Sequence, residues 1–517
     1  MAIPKPLKVY FLPFFAQGHL IPFSQFARLF AARGVHVTII TTPFNAQFLQ
    51  KFIDEDKGSG HRLVIDIHTV TFPSKNADLP EGTENFFNVK DVETGVKMYI
   101  AAALLRSQVE PFIEQNPPDC IVSDFIFTWT GDLASSLGIP RLTFNAFCTF
   151  AVCMIDAVHK HFIDKDSSES LDGDHKTDPF GAVTNKPSES HDDHQSDDPF
   201  VVPGLPHPIS LTLQPPRRFF KDLKRVLDAA MKTSYGLIVN NFTDLDCEEY
   251  VDYYRKISGH KVWHIGPASL MLQNTLPQKN HLLHHHHQQT SDDDHEYITT
   301  WLDSKEPNSV VFIGFGSLCY FPDTQLFEIA CAMESSGHSF IWTVHKEDDE
   351  GKKAWLPEGF EERTKKEKKG LILTKWAPQG LILNHPATGG FLSHCGWTSL
   401  TEAVSAGVPL MTWPMFAEQF YNEKLVTQVH GFGVEVGAEE WTRTPYDVMQ
   451  KVVSRVKIEN AVRRLMDGGD EADEVRRKAR EMRDRAREAV EEGGSSQRNL
   501  TALIEDLREL TVSRIPQ

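Results

Sequence analysis

Residues 389–407, reading GGFLSHCGWTSLTEAVSAG, restrict the fold more than any other part of the chain. The apolar run 389–392 has the character of a buried strand. Ser393-His394-Cys395-Gly396-Trp397 has the composition of a tight turn, and 399–406 reads as a helix stopped by Gly407. Ser399 followed three residues later by Glu402 is a capping-box pattern, so the helix is expected to open at Ser399. A buried strand feeding a helix belongs to an α/β layer on a parallel sheet. It also sets a chemical expectation. A helix N-terminus just past a strand, behind a glycine turn, directs backbone N–H groups and partial positive charge at one point. The ordinary occupant of such a point is a phosphate.

The same alternation recurs along the chain in two series. The first opens with KVYFLPF (8–14), a turn at Phe15-Ala16-Gln17-Gly18-His19, and a helix with Pro22 in its first turn and Phe23, Phe26, Ala27 and Phe30 at helical spacing. Gly34 ends that helix and 35–41 is the next strand, a right-handed parallel unit. Further strands are expected at 119–122, 140–143 and 236–240. The second series begins at Ser309 with VVFIGFGS and continues at 340–344, 371–374, 390–392 and 410–413. A chain of 517 residues exceeds one ordinary core. The fold class expected is therefore α/β: two doubly wound Rossmann-like domains facing a cleft, with residues 1–267 in the first and 298–490 in the second.

Two tracts stand outside both series. Residues 164–199 are rich in Asp, Ser, His and Lys, so burial cannot offset their ordering entropy, and a mobile acidic insertion is expected. Residues 268–297 are expected to link the domains, with a His/Asp-rich insertion at 278–296. Its four adjacent histidines, His284 to His287, lack the spacing that fixes coordination geometry, so no metal site is expected there. A balance of 53 basic and 71 acidic residues, net −18, disfavours nucleic acid or an anionic membrane as partner. The basic stripe between Arg476 and Arg487 is interleaved with Glu481 and Asp484 and reads as a solvated, ion-paired helix. Seven cysteines, an odd number without a CxxC pair, indicate free thiols in a reducing compartment. The N-terminus lacks a signal-peptide pattern and no apolar run approaches the roughly 18 residues of a membrane span. A soluble, cytoplasmic monomer is expected.

The surroundings of the phosphate turn narrow its occupant. Trp376 offers a flat face for a base, and Gln379 follows with a donor and an acceptor. His394 can donate to a phosphate oxygen. Glu418 beside Gln419 pairs a carboxylate with an amide, which suits several hydroxyls of one sugar. Base, phosphate and polyol together describe a nucleotide sugar. GFGSLC after the strand at 310–314 lacks the third glycine of a dinucleotide fingerprint and its acidic partner, so a dehydrogenase is disfavoured.

The 44 residues from Trp376 to Gln419 closely resemble the signature box of the plant secondary-product glycosyltransferases, the family one enzymes that use UDP-sugars. The resemblance implies the GT-B architecture, with the closing helices, here 491–517, packed back on the N-terminal domain. It implies uracil stacked on Trp376 and read by the backbone of Ala377, and ribose held by Gln379 and Glu402. The diphosphate would be held by Ser317, His394, Thr398 and Ser399, and the sugar by the backbone of Trp397 with Glu418 and Gln419. Thr398 departs from the family's usual asparagine and shortens that reach. Glutamine at the last box position is associated in the family with glucose.

Gln17-Gly18-His19 after KVYFLPF is similar to the family's turn that carries a catalytic histidine, and Asp124, in DCIVSDF, stands at the matching edge of a later strand. Neutral imidazole oriented by a buried carboxylate is a base suited to a hydroxyl acceptor; helix capping is the bland role for Asp124. The resemblance thus implies an inverting, metal-independent glucosyl transfer from UDP-glucose to a small lipophilic acceptor (a flavonoid, other phenolic or terpenoid) giving a β-glucoside. UDP-glucose would be a co-substrate, and no cofactor is expected. Phe15, Phe125 and Phe147 predict an apolar, aromatic acceptor pocket. The alternatives are a nucleotide-sugar epimerase or dehydrogenase, which needs a suitably placed Tyr-x-x-x-Lys pair, and a non-catalytic binder of UDP-sugar or a small hydrophobe, which needs neither His19 nor Asp124.

Overall fold

The computed structural model describes residues 6–58, 60, 62–163, 199–276, 292–344, 346, 355–374, 376–447 and 449–513. The acidic tract at 164–198 and the four adjacent histidines lie outside them. Fifteen strands are described: β1 (Lys8–Leu12), β2 (His36–Thr41), β3 (Ile65–Thr69), β4 (Cys120–Asp124), β5 (Arg141–Asn145), β6 (Phe200–Val202), β7 (Ile209–Leu211), β8 (Gly236–Val239), β9 (Lys261–His264), β10 (Val310–Gly314), β11 (Ser339–Thr343), β12 (Gly370–Leu373), β13 (Thr388–Ser393), β14 (Leu410–Thr412) and β15 (Gly433–Glu435).

The central strands are apolar without alternation because helices cover both faces of each sheet, which is the pattern parallel sheets require. The first sheet has the order β3-β2-β1-β4-β5-β8-β9 and the second β12-β11-β10-β13-β14-β15, every pair parallel. In each sheet the order reverses beside its first strand, β1 or β10. At those switch points the loops diverge and leave a crevice at the carboxyl edge. Leu12 pairs in register with Ser123 and Gly314 with Ser393, so His19 and Asp124 leave one edge and Ser317 and His394 the other.

Several boundaries differ from expectation. β4 runs on to Asp124, and Asp119 precedes it, where its Oδ2 accepts from the Lys8 N–H at 2.8 Å. The helix after β13 spans Trp397–Ala406 and opens behind Gly396 without a side-chain cap, so Ser399 and Glu402 do not form a capping box. Both are drawn instead to the Gln379 amide. The expected linker is partly helical, at Ala268–Thr275 and Asp292–Asp303.

Apolar side chains gather in three clusters: one in each domain and one spanning the space between them. The helix Asp470–Val490 runs through all three, with Val475 in the C-terminal cluster, Ala479, Met482 and Ala486 in the central one and Val490 in the N-terminal one. Its outer face carries ion pairs such as Arg477–Glu474 at 2.6 Å. The last helix, Ser495–Val512, buries Leu500, Leu503, Ile504 and Leu507 against the N-terminal domain. Ser496 Oγ donates to the Gly266 carbonyl at 2.6 Å and Asn499 Nδ2 to that of His264 at 3.0 Å. No disulfide joins any of the seven cysteines, five of which are buried. Among the described residues, no helix is long and apolar enough to cross a membrane.

Candidate active site

The helix after β1 begins at Gln17, earlier than expected, so His19 projects from its first turn rather than from a loop. Its Nδ1 lies 2.6 Å from Asp124 Oδ2. The carboxylate is fully buried while the imidazole is 20% exposed. The other carboxylate oxygen, Oδ1, accepts from the Ile126 N–H at 3.2 Å, so Asp124 also organises the turn after β4; the helix that follows starts only at Thr130. With Nδ1–H donated to Asp124, Nε2 is the ring atom that carries a lone pair.

Across the crevice, the helix Trp397–Ala406 makes its first backbone bond from the Leu400 N–H to the Gly396 carbonyl, 3.0 Å. The N–H groups of Trp397, Thr398 and Ser399 precede it and belong to the orphan donors of a helix start. The imidazole of His394 fills the space beside this start. A Cβ on Gly396 would lie 2.3 Å from its Nε2 and one on Gly316 2.7 Å, so both glycines are what lets the ring sit there. Burial pushes the His394 pKa down to about 4, against an opposing hydrogen bond with the Gly314 backbone. The ring is neutral at physiological pH and can meet a phosphate by hydrogen bonding, not by charge.

Gln379 Nε2 donates to Glu402 Oε2 at 2.7 Å and to Ser399 Oγ at 3.1 Å, which brings these three together. Gln419 Oε1 accepts from the N–H groups of Met415 (3.0 Å) and Phe416 (3.2 Å), so its NH₂ is the end left to meet a ligand. Burial raises the Glu418 pKa above the ordinary carboxylate range, while the nearby His19 pulls it down. Trp397 uses its indole N–H for the Asn240 carbonyl, 2.9 Å, a tie between the domains.

Of the catalytic and donor-binding residues named from the sequence, all but Asp124 line one cavity of about 380 Å³: His19, Ser317, Trp376, Ala377, Gln379, His394, Trp397, Thr398, Ser399, Glu402, Glu418 and Gln419. Asp124 stands behind His19, outside the wall. The rest of the lining is largely apolar, with Phe125 and Phe147 among it. Phe15 is corrected: it points into the core against Phe72 and Phe86, and Phe14 lines the cavity in its place. Sequence reasoning also missed Tyr99, Phe219 and the segment Arg443–Tyr446, which carry no motif. Among the described residues, no group of three or more His, Cys, Asp and Glu is placed to hold a metal ion.

Two parallel Rossmann-like sheets with a crevice between them make the fold that of the GT-B class. Residues 264–467 match the family model described as UDP-glucoronosyl and UDP-glucosyl transferase. The chain is 46% identical to UDP-glucosyl transferase 73CC6 of Saponaria officinalis, over 98% of this chain and 97% of the relative. It is 40% identical to the scopoletin glucosyltransferase of Nicotiana tabacum, over 97% and 98%. Its structure resembles that of UGT73P12 from Glycyrrhiza uralensis, complexed with glycyrrhetinic acid 3-O-monoglucuronide, with a TM-score of 0.83, 35% identity and coverage of 99% and 97%. The chain belongs to the plant family one UDP-glycosyltransferases and is an enzyme of the UDP-glucosyltransferase class.

Proposed function

We propose that the protein transfers glucose from UDP-glucose to a hydroxyl of a small lipophilic metabolite, with inversion, using His19 as general base. In this reading residues 1–267 bind the acceptor, 298–490 bind the donor, and the last helix completes the N-terminal half. The observation that carries it is the 2.6 Å contact between His19 and Asp124 at the wall of the cavity that also holds the donor box. The acceptor O–H gives its proton to His19 Nε2 as its oxygen attacks C1 of the sugar. The C1–O bond to the diphosphate breaks, and the electron pair leaves with UDP. Asp124 stabilises the imidazolium formed on the way. The helix start at Trp397, the hydroxyls of Ser317, Thr398 and Ser399 and the neutral His394 are aimed at the charge that develops on UDP. These donors are suited to that charge without a divalent cation. Glu418 accepts from sugar hydroxyls and the NH₂ of Gln419 donates to them, an arrangement fitted to glucose. The aromatic lining, and relatives named for a coumarin and for flavonoids, support a flat lipophilic acceptor. Seven cysteines without a disulfide are consistent with a cytoplasmic setting.

The test is incubation with UDP-glucose and EDTA against a panel of phenolics and terpenoids, read by mass, with His19→Ala in parallel. A gain of one hexose that disappears in the variant is the expected result. Transfer unaffected by His19→Ala would overturn the mechanism, and UDP binding without transfer to any acceptor would point to a non-catalytic binder.

A further inference from the structure

Two residues of the donor box hold backbone angles that residues with a side chain seldom adopt: Cys395 at φ 64° and Ala417 at φ 52°. Each stands one position ahead of a cavity-lining residue that leads into a helix. Gly396 precedes the helix Trp397–Ala406, and Glu418 precedes the helix Gln419–Lys424. Such angles cost energy and persist where the surroundings hold them. Here the carbonyl of each strained residue is held by a side chain. Trp441 Nε1 donates to that of Ala417 at 3.1 Å and Asn422 Nδ2 to that of Cys395 at 2.9 Å. A trans peptide directs its N–H opposite to its C=O, so holding the Cys395 carbonyl also fixes where the Gly396 N–H points.

Asn422 is fully buried and lies behind the cavity lining, not in it. It comes four residues after Glu418, and its backbone N–H donates to the Glu418 carbonyl at 3.0 Å, so the two side chains share one helical face. Burial raises the Glu418 pKa, and a hydrogen bond from the Asn422 side chain opposes that rise. An ionised carboxylate can only accept, so this bond takes the second N–H of the amide, the first being used for Cys395. The amide oxygen accepts from Cys148 Sγ at 3.7 Å, at the N-cap of the helix Thr149–Val158 in the N-terminal domain. Both donors and the oxygen of one buried amide thus join three segments of the chain.

We propose that Asn422 is a positioning residue for the donor, holding the Cys395-Gly396 turn and the Glu418 carboxylate in one fixed relation so that diphosphate and sugar are received as a unit. It touches neither of them. Without its amide the strained turn relaxes, which reaches the diphosphate, and Glu418 loses a partner, which reaches the sugar. The inference rests on the reading of residues 298–490 as the UDP-glucose site, but not on His19 or on transfer.

The test is titration calorimetry with UDP and with UDP-glucose, without acceptor, on the wild type, Asn422→Asp and Asn422→Ala. Asn422→Asp keeps the volume and the acceptor for Cys148 while removing the NH₂. Asn422→Ala removes the NH₂ without adding a charge and leaves room for water at the Cys395 carbonyl, so either variant serves if the other fails to fold. Both are expected to weaken UDP about fivefold, the loss of one hydrogen bond, and UDP-glucose about thirtyfold, the loss of two. A residue that merely supports the fold would weaken both ligands alike. Stoichiometry counts the folded molecules, so misfolded protein lowers it and leaves both dissociation constants alone. Equal losses for the two ligands in either variant, or no loss for UDP-glucose, would overturn the assignment. Because no acceptor is present, failure of glucosyl transfer leaves this result untouched, and a wild type that binds no UDP would refute the donor site itself.

Discussion

Replacing Asp124 with asparagine changes one atom and one charge, and the surroundings dictate which way the amide faces. Oδ1 is held by the Ile126 N–H at 3.2 Å, so the asparagine oxygen stays there and its NH₂ turns to His19 Nδ1. A donor in that place forces Nδ1 to accept, and the ring proton moves to Nε2. The atom that should take the proton from the acceptor then has no lone pair. The variant also removes the negative charge that stabilises the imidazolium. Two unit charges about 4 Å apart at an effective dielectric of about 20 interact by roughly 4 kcal/mol, or about 10³-fold in rate. The two losses share one cause and are not additive, so kcat is expected to fall by roughly 10³. Asp124 lies behind the cavity wall, so the UDP dissociation constant by titration calorimetry should not change. Steady-state kinetics with UDP-glucose and a saturating phenol gives kcat. A variant within fivefold of the wild type would refute both the tautomer argument and the role of His19 as the base.

Other consequences follow from the same geometry. Gly396→Ala would place a methyl 2.3 Å from His394 Nε2, so UDP affinity should fall at least tenfold while the melting temperature stays within a few degrees. The lowered His394 pKa means that its contribution to stability is fully present above about pH 6.5 and is lost as pH falls through about 4. A nitrogen-detected titration of the ring should therefore show it neutral at pH 5, and a midpoint near 6.5 would contradict the burial argument. Deleting residues 491–517 uncovers Leu500, Leu503, Ile504 and Leu507 from a shared core, at about 1.5–3 kcal/mol each, so soluble expression should be lost.

Much of the layout was legible because parallel strands covered on both faces read as unbroken apolar runs, as KVYFL and VVFIG do. Of the four edge strands of the two parallel sheets, β12 was expected, while β3, β9 and β15 were not. β3, IDIHT, mixes polar with apolar residues, and β15 has only three residues, so neither has a run to read. Ser399 and Glu402 carried a true local signal that lost to tertiary demand: Gln379, twenty residues away, takes both side chains. Phe15 was misplaced because the chain has already left the strand at Leu12, and alternation no longer tells which of two adjacent rings faces the cavity. Tyr446 was invisible for another reason. Its position depends on two domains meeting, and no local pattern of residues records that.

The last helix has a consequence for the order in which the chain is made. Its leucines finish the N-terminal core, yet they are synthesised more than two hundred residues after Leu276, the last N-terminal residue of that cluster before Val490. At about 5–20 residues per second, the first half waits roughly 10–50 s on the ribosome with an apolar groove open to water. Folding from the N-terminus can therefore only be provisional, and the molecule is sealed by its final turns. A nascent chain stalled anywhere before Leu500 would be a natural client for chaperones.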